Sequence, residues 1–133
     1  MSVAVAHQGP PSSNLALKEA AFESLRRNTS LAVIHVVDTL DLDTTEAIRG
    51  GVSDEVAKIL ADATCDVEWT LHAAAGQGDV AGKVLQLTEE TGAELLVIGA
   101  RRRSPVGKFL LGSITQTIIL ESDVPVLVVK DPA

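Results

Sequence analysis

Residues 31–37, Leu-Ala-Val-Ile-His-Val-Val, and residues 95–98, Leu-Leu-Val-Ile, decide how this chain is read. Both are short and almost unbroken apolar runs. A strand with one wet face alternates apolar and polar residues, whereas a strand covered on both faces does not. The two runs therefore predict inner strands of a parallel sheet with helices on each side. Outward from them, Ser2–Ala6 reads as a first strand and Val67–Ala73, which alternates, as a strand nearer an edge. Val124-Pro125 leads into a last strand, Val126–Val129.

Helical patterns fill the gaps. Leu15, Ala21, Phe22 and Leu25 recur at helical spacing up to about Arg27, with Lys18, Glu19, Glu23 and Arg26 on the wet face. The stretch Gly9-Pro10-Pro11-Ser12-Ser13 breaks the chain before that helix, and one of its serines supplies a cap. Thr39–Gly51 is polar and ambiguous, and the pair Gly50-Gly51 reads as a stop. Ser53 is then expected to cap a helix carrying Val56, Ile59, Leu60 and Ala63. Asp79 is the expected N-cap of a helix from Val80 to Thr91, closed by Gly92 in a left-handed conformation. Ser113-Ile-Thr-Gln116 matches a capping box for a short last helix ending near Ser122. The order β-α-β-α-β-α-β-α-β gives a doubly wound, five-stranded parallel sheet in a three-layer α/β/α sandwich, with residues 1–133 as one domain.

Composition agrees with that diet of side chains. The chain has 133 residues, 46% of them hydrophobic and 22% charged, which excludes disorder as the overall state. Aromatics make up only 2% (Trp69, Phe22, Phe109), so the core must come from Val, Leu, Ile and Ala. A net charge of −7 argues against nucleic acid or an anionic membrane as a partner. The one cysteine, Cys65, fits a reducing compartment. No apolar run is long enough to span a bilayer, and the first residues lack the pattern of a signal peptide. A cytoplasmic location follows as the expectation.

In a sheet of this type ligands dock beyond the carboxyl ends of the strands, where the strand order reverses. The loops after strands one, two and four are therefore the ones to watch. The loop from Gly99 to Gly112 carries Arg101, Arg102, Arg103 and Lys108, and re-enters a helix at Gly112-Ser113. Glycines let backbone amides approach an anion, a helix N-terminus favours phosphate, and Arg binds it in bidentate fashion. The plainer account is a solvated basic face with Ser113 as a simple cap.

The segment from Val97 through Ser113 resembles the signature loop of the universal stress protein family. Nucleotide-binding members carry Gly, two residues, Gly, nine residues, then Gly followed by Ser or Thr. Gly99, Gly112 and Ser113 fall on the outer positions. His35-Val-Val-Asp, Gly78-Asp79-Val80 and Asp123-Val-Pro-Val-Leu-Val-Val resemble the family's second strand, third-helix start and terminal strand. The resemblance covers nearly the whole chain and implies a Rossmann-like fold of the adenine nucleotide alpha hydrolase-like kind. It also implies ATP or AMP as ligand, with Ala6, His7, Val36, Gly99, Arg101, Arg102, Gly112, Ser113, Ile114 and Thr115 as site residues. An Mg²⁺ ion beside the phosphates is left open. In related proteins the last strand pairs antiparallel with a twofold mate, which implies a homodimer through Val126–Val129.

The sequence departs from the family pattern twice. Arg102 stands at the middle glycine, where its side chain either obstructs backbone approach or supplies guanidinium contacts instead. Val5-Ala6-His7-Gln8 stands where ATP-binding relatives end the first strand on an Asp near the adenine. Among other candidates, His7 is read first as an exposed turn histidine, with contact to a base or titration as the alternative. His35 is read as a core or face residue, His72 as facing water or a helix end, and Cys65 as small and semi-buried. Asp38, Asp41 and Asp43 read as a solvated turn. No metal set and no catalytic residues are assigned. The favoured reading is a regulatory module for stress response that binds a phosphate-bearing ligand. A ligand-free protein acting through protein–protein contacts is the second reading, and a slow ATP hydrolase the third.

Overall fold

The computed structural model describes residues 1–7, 14–38, 42–101 and 111–131, with side chains except at 42–47, 101 and 131. In chain order the elements are β1 (Ser2–Ala6), α1 (Asn14–Arg26), β2 (Ser30–Val37), α2 (Leu42–Asp62), β3 (Trp69–Ala75), α3 (Val80–Glu90), β4 (Ala93–Arg101), α4 (Ser113–Glu121) and β5 (Val126–Asp131). The five strands form one parallel sheet in the order β3-β2-β1-β4-β5. The order reverses beside β1, so β1 and β4 diverge there into helices on opposite faces.

Alternation along each inner strand feeds two separate cores. Val3, Val5, Leu31, Val33, Leu95 and Val97 pack with α1 and α2 on one face. Ala4, Ala6, Ala32, Ile34, Leu96 and Ile98 pack with α3 and α4 on the other. This is the double burial that the runs at 31–37 and 95–98 predict. Each fully buried Val, Leu or Ile contributes about 2 kcal/mol of transfer free energy, so the inner strands anchor the fold.

Three sequence expectations need correction. Gly50-Gly51 does not stop a helix, and Ser53 does not begin one, because α2 runs unbroken from Leu42 to Asp62. Each glycine costs about 1 kcal/mol of helix propensity. Ile48, Val52, Val56, Ile59 and Leu60 nevertheless form one apolar stripe across the pair and pack on the core. Tertiary burial overrides the local preference. In α1 the buried face is Ala16, Leu17, Ala20, Ala21 and Ser24, while Phe22 and Leu25 are 36% and 46% exposed. Alanines let the helix sit close to the sheet, and the larger side chains are turned out. The third strand starts two residues later than expected, since Trp69 is the residue paired with Leu31. The breaker stretch 9–13 and its serine cap lie outside the described residues.

The turn into α3 places the amino end of that helix beside β2. Gly76 donates its N–H to the Val37 carbonyl at 2.7 Å. A Cβ at Gly76 would lie 2.7 Å from Val80 Cγ2 and 3.3 Å from Val36 Cγ1, so only glycine lets the turn close. Asp79 caps α3 as expected, its Oδ1 accepting from the Gly82 amide at 2.9 Å. Gly92 adopts the expected left-handed conformation, with φ at +66°.

The two sheet edges differ. At β3, Arg49 of α2 donates from Nη2 to the Leu71 carbonyl at 3.0 Å, occupying an acceptor that an added strand would need. At the other edge, Val126, Leu127 and Val128 of β5 are half-buried in the chain. Replacing Asp79 by Ala removes the α3 cap and is expected to cost about 1 kcal/mol, lowering Tm by roughly 3–5 °C in a thermal melt. Gly82→Ala should displace the same cap, because a Cβ there would lie 2.2 Å from Asp79 Oδ2, but its gain of about 1 kcal/mol in helix propensity should leave Tm nearly unchanged.

Candidate functional site

The carboxyl ends of β1 and β2 and the amino ends of α3 and α4 converge at the top of the sheet. A cavity of about 240 Å³ opens there, lined by Asp38, Gly78, Asp79, Val80, Ala81, Ser113, Ile114 and Thr117. Asp38 follows β2 and is exposed. Gln77 and Gly78 both have positive φ, 52° and 91°, and that tight turn brings the start of α3 to the rim.

The amino end of α4 is built differently from the capping box. Gly112 is the N-cap, at φ −69° and ψ 164°, and the first helical residue is Ser113. The first intrahelical bond runs from the Gln116 amide to the Gly112 carbonyl at 3.0 Å. Gln116 Nε2 turns back to the Leu111 carbonyl instead of reaching a serine cap. The helix starts at the serine expected to cap it, and among the described residues its N-cap makes no side-chain hydrogen bond. Unpaired amides and the positive end of the helix dipole make such a terminus attractive to an anion. Among the described residues a Cβ built at Gly112 meets nothing within 4 Å.

The structure distributes the expected site residues unevenly. Ser113 and Ile114 line the cavity, and Gly112 immediately precedes them. Thr115, on the same turn, is 8% exposed and faces the core. Ala6 is buried and Val36 half-buried, on the face shared with α3 and α4. Gly99 lies within β4, paired with Val129, and the Arg101 backbone is paired with Asp131 at the strand end. Arg102 lies outside the described residues, as do Arg103, Lys108 and Asp41; no side chain is described for Arg101 or Asp43. The sequence reading did not place Asp38, Gly78, Asp79, Val80, Ala81 or Thr117 in the site, although it singled out Gly78-Asp79-Val80 as a helix start. Asp38 passed as a solvated turn, and Thr117 lies one helical turn beyond the family motif.

His7 also differs from expectation. It is 2% exposed rather than a surface turn residue. Its N–H donates to the Ile34 carbonyl at 2.7 Å, which carries the β1–β2 ladder one step past β1. Its Nδ1 lies 3.0 Å from His35 Nδ1, and its carbonyl oxygen is also 3.0 Å from His35 Nδ1. Among the described residues its Nε2 has no hydrogen-bond partner, and it sits 3.6 Å from Glu55 Oε1 on α2. Burial, and then the neighbouring His35 imidazole, push His7 down from 6.5 to about 4. Burial also lowers His35, with the His7 carbonyl and Glu55 pulling the other way. His72 is half-buried, its Nε2 2.9 Å from Thr70 Oγ1, and Cys65 is buried. Among the described residues no group of three or more His, Cys, Asp or Glu side chains is arranged to hold a metal ion.

These shifts set a pH dependence. An unfolded His7 takes its proton near 6.5, while the folded one holds out to about 4. Between those values the unfolded chain binds more protons, so stability is complete above 6.5 and is lost as pH falls toward 4. The loss attributable to His7 is on the order of 3 kcal/mol. Urea unfolding at pH 7.5 and 4.5 should show this fall, and a His7→Asn chain should show less of it. An equal fall in both chains would assign it to other groups.

Comparison with known proteins bears on this geometry. The sequence pattern described as the Universal stress protein family matches residues 1–130. A universal stress protein of Mycolicibacterium smegmatis is 34% identical over 128 residues, 96% of each chain. A universal stress protein of Archaeoglobus fulgidus superposes with a TM-score of 0.79 at 25% identity, covering 98% of both chains. The universal stress protein of Archaeoglobus fulgidus in complex with dAMP superposes with a TM-score of 0.73 at 22% identity, again over 98% of each. Among the described residues no helix is long and apolar enough to cross a membrane. With the strand order, the Gly112-Ser113 helix start and these matches together, the chain belongs to the universal stress protein family.

Proposed function

We propose that this chain is a cytoplasmic regulatory module that binds ATP, AMP or another phosphate-bearing ligand in the cleft formed by the loops after β1, β2 and β4. The observation that carries the reading is the amino end of α4. Among the described residues it has no side-chain cap and begins at a glycine with nothing within 4 Å of an added Cβ, and it borders a cavity beside the end of β2 and the start of α3. Phosphate is the ligand chemistry that such a helix end favours. The related Archaeoglobus fulgidus protein, solved with dAMP, supports a nucleotide as the carrier of that phosphate. An acidic chain of net charge −7 repels polyanions at long range, so recognition rests on local amides and on the basic segment 101–108.

The ligand-free alternative has one observation in its favour. Val5-Ala6-His7-Gln8 stands where ATP-binding relatives end the first strand on an Asp, and His7 there is 2% exposed, turned toward Glu55 rather than open to solvent. Mass spectrometry of small molecules released from freshly purified, denatured protein separates the two readings. A bound adenine nucleotide supports the first, and its absence together with no binding on titration supports the second.

Gly112→Val is expected to weaken AMP or ATP binding at least tenfold in titration calorimetry, because a branched side chain would stand where phosphate approaches. Stability should change by no more than about 1 kcal/mol, since the N-cap φ of −69° suits any residue. Unchanged affinity would remove α4 from the site.

We also propose a homodimer joined through β5. Val126, Leu127 and Val128 lie on β5, which forms one edge of the sheet among the described residues, and apolar edge strands are normally covered. Light scattering at micromolar concentration should give twice the chain mass of 13.9 kDa. Val128→Pro, which removes a ladder amide, should give the chain mass.

A further inference from the structure

A second groove, of about 400 Å³, runs between α3 and α4 and shares no lining residue with the cleft. Leu85 and Val124 are half-buried in it and Ala93 is buried, so its inner surface is largely apolar. Its rim is acidic, with Glu89, Glu121 and Asp123 all exposed. Among the described residues no Lys or Arg lines the groove, and none of the three carboxylates is in a salt bridge. The placement works against the helices. Neither α3 nor α4 has a basic residue in its last turn, and Glu89 and Glu121 sit at the negative ends of the two helix dipoles. Acids there cost stability unless a cation comes to them.

The complement is carried by the chain itself. Residues 101–111, Arg-Arg-Arg-Ser-Pro-Val-Gly-Lys-Phe-Leu-Leu, hold four cations and then three apolar residues. Within one chain this segment leaves β4 at Arg101 and returns at Leu111, before the amino end of α4, whereas the acids lie toward the carboxyl ends of α3 and α4. A twofold pair reverses that separation. Twofold copies that share one edge strand pair it antiparallel, so the end of β5 at Asp131 comes beside the partner's start of β5 at Val126. Arg101 is paired with Asp131, and residues 121–125 lead directly into Val126. Two strand spacings, about 10 Å, then separate the root of one basic segment from the start of the partner's β5. A segment held at Arg101 and Leu111 projects at most about 17 Å, enough to cross that distance.

We propose that the groove between α3 and α4 receives the basic segment of a second copy, its cations against the partner's Glu89, Glu121 and Asp123, and Phe109 and Leu110 against the apolar inner surface. This inference rests on the β5 homodimer given above and goes beyond it in naming a second, charge-matched contact within the same pair. The contact is reciprocal, because each copy gives one segment and one groove, and the pair stays closed. It also meets the difficulty of bringing two acidic chains together. Copies of net charge −7 repel at long range, and matched local charges offset that repulsion and fix the register in which the strands join.

Two charge reversals test it. Glu121→Lys with Asp123→Lys reverses the groove, and Arg103→Glu with Lys108→Glu reverses the segment. In sedimentation equilibrium each altered chain alone should dimerise at least tenfold more weakly than the unaltered chain, since like charges then face each other twice in every pair. An equimolar mixture of the two should recover the pair as a heterodimer, to within about threefold of the unaltered affinity, because every groove then meets a segment of opposite charge. Recovery on mixing also shows that both altered chains fold. Altered chains that pair as tightly as the unaltered one would overturn the inference and leave the β5 homodimer standing. A mixture no tighter than either chain alone would also overturn it, and would assign the segment to the groove of its own chain or to neither. If the unaltered chain is monomeric throughout, the β5 reading falls and this contact falls with it.

Discussion

Parallel pairing of β1 with β2 on one side and β4 on the other is the constraint on which the rest depends. It buries β1 completely, with every residue from Ser2 to Ala6 out of solvent. It also forces the crossovers onto opposite faces, α1 and α2 on one and α3 and α4 on the other. Three strand ends and two helix starts are thereby gathered at one end of the sheet. The candidate site follows from this arrangement and needs no dedicated loop scaffold: the helices that close the core also aim their amino ends at the cleft.

The features legible in the sequence are those governed by periodicity and by local chemistry. The unbroken runs at 31–37 and 95–98 give inner strands because continuous burial has only one common source at that length. Asp79 and Gly92 are read correctly because a cap and a left-handed glycine act within a single turn. The order of elements then leads to the sheet topology, and the Gly112-Ser113 pair locates the helix start near the cleft. All of this is short-range information amplified by a well-populated architecture.

The misreadings share a cause, which is that a distant partner decided the outcome. Gly50-Gly51 is helical because the stripe from Ile48 to Leu60 is paid back by burial on β1, β2 and β3. Phe22 and Leu25 are exposed because the sheet beneath α1 admits alanines at closer range. Ser113 is inside the helix because Gly112 takes the extended conformation that precedes it. His7 is the clearest case. Nothing beside it in the sequence announces Glu55, 48 positions away, or the imidazole of His35, and these two turn a strand-end residue into a buried hydrogen-bonded one. Asp38 and Thr117 escape notice for the same reason, since only the fold brings the ends of β2 and α4 to one cavity.

Arg49, reaching across to the Leu71 carbonyl, gives the sheet one blunted flank, and β5 forms the other edge among the described residues. A sheet finished on one side can be lengthened only from the opposite side. Copies that join there back to back consume both open flanks at once, leaving two blunted ends. If copies pair there as proposed, growth would stop at a closed pair instead of continuing into a fibre, with one guanidinium on a helix guarding the far flank.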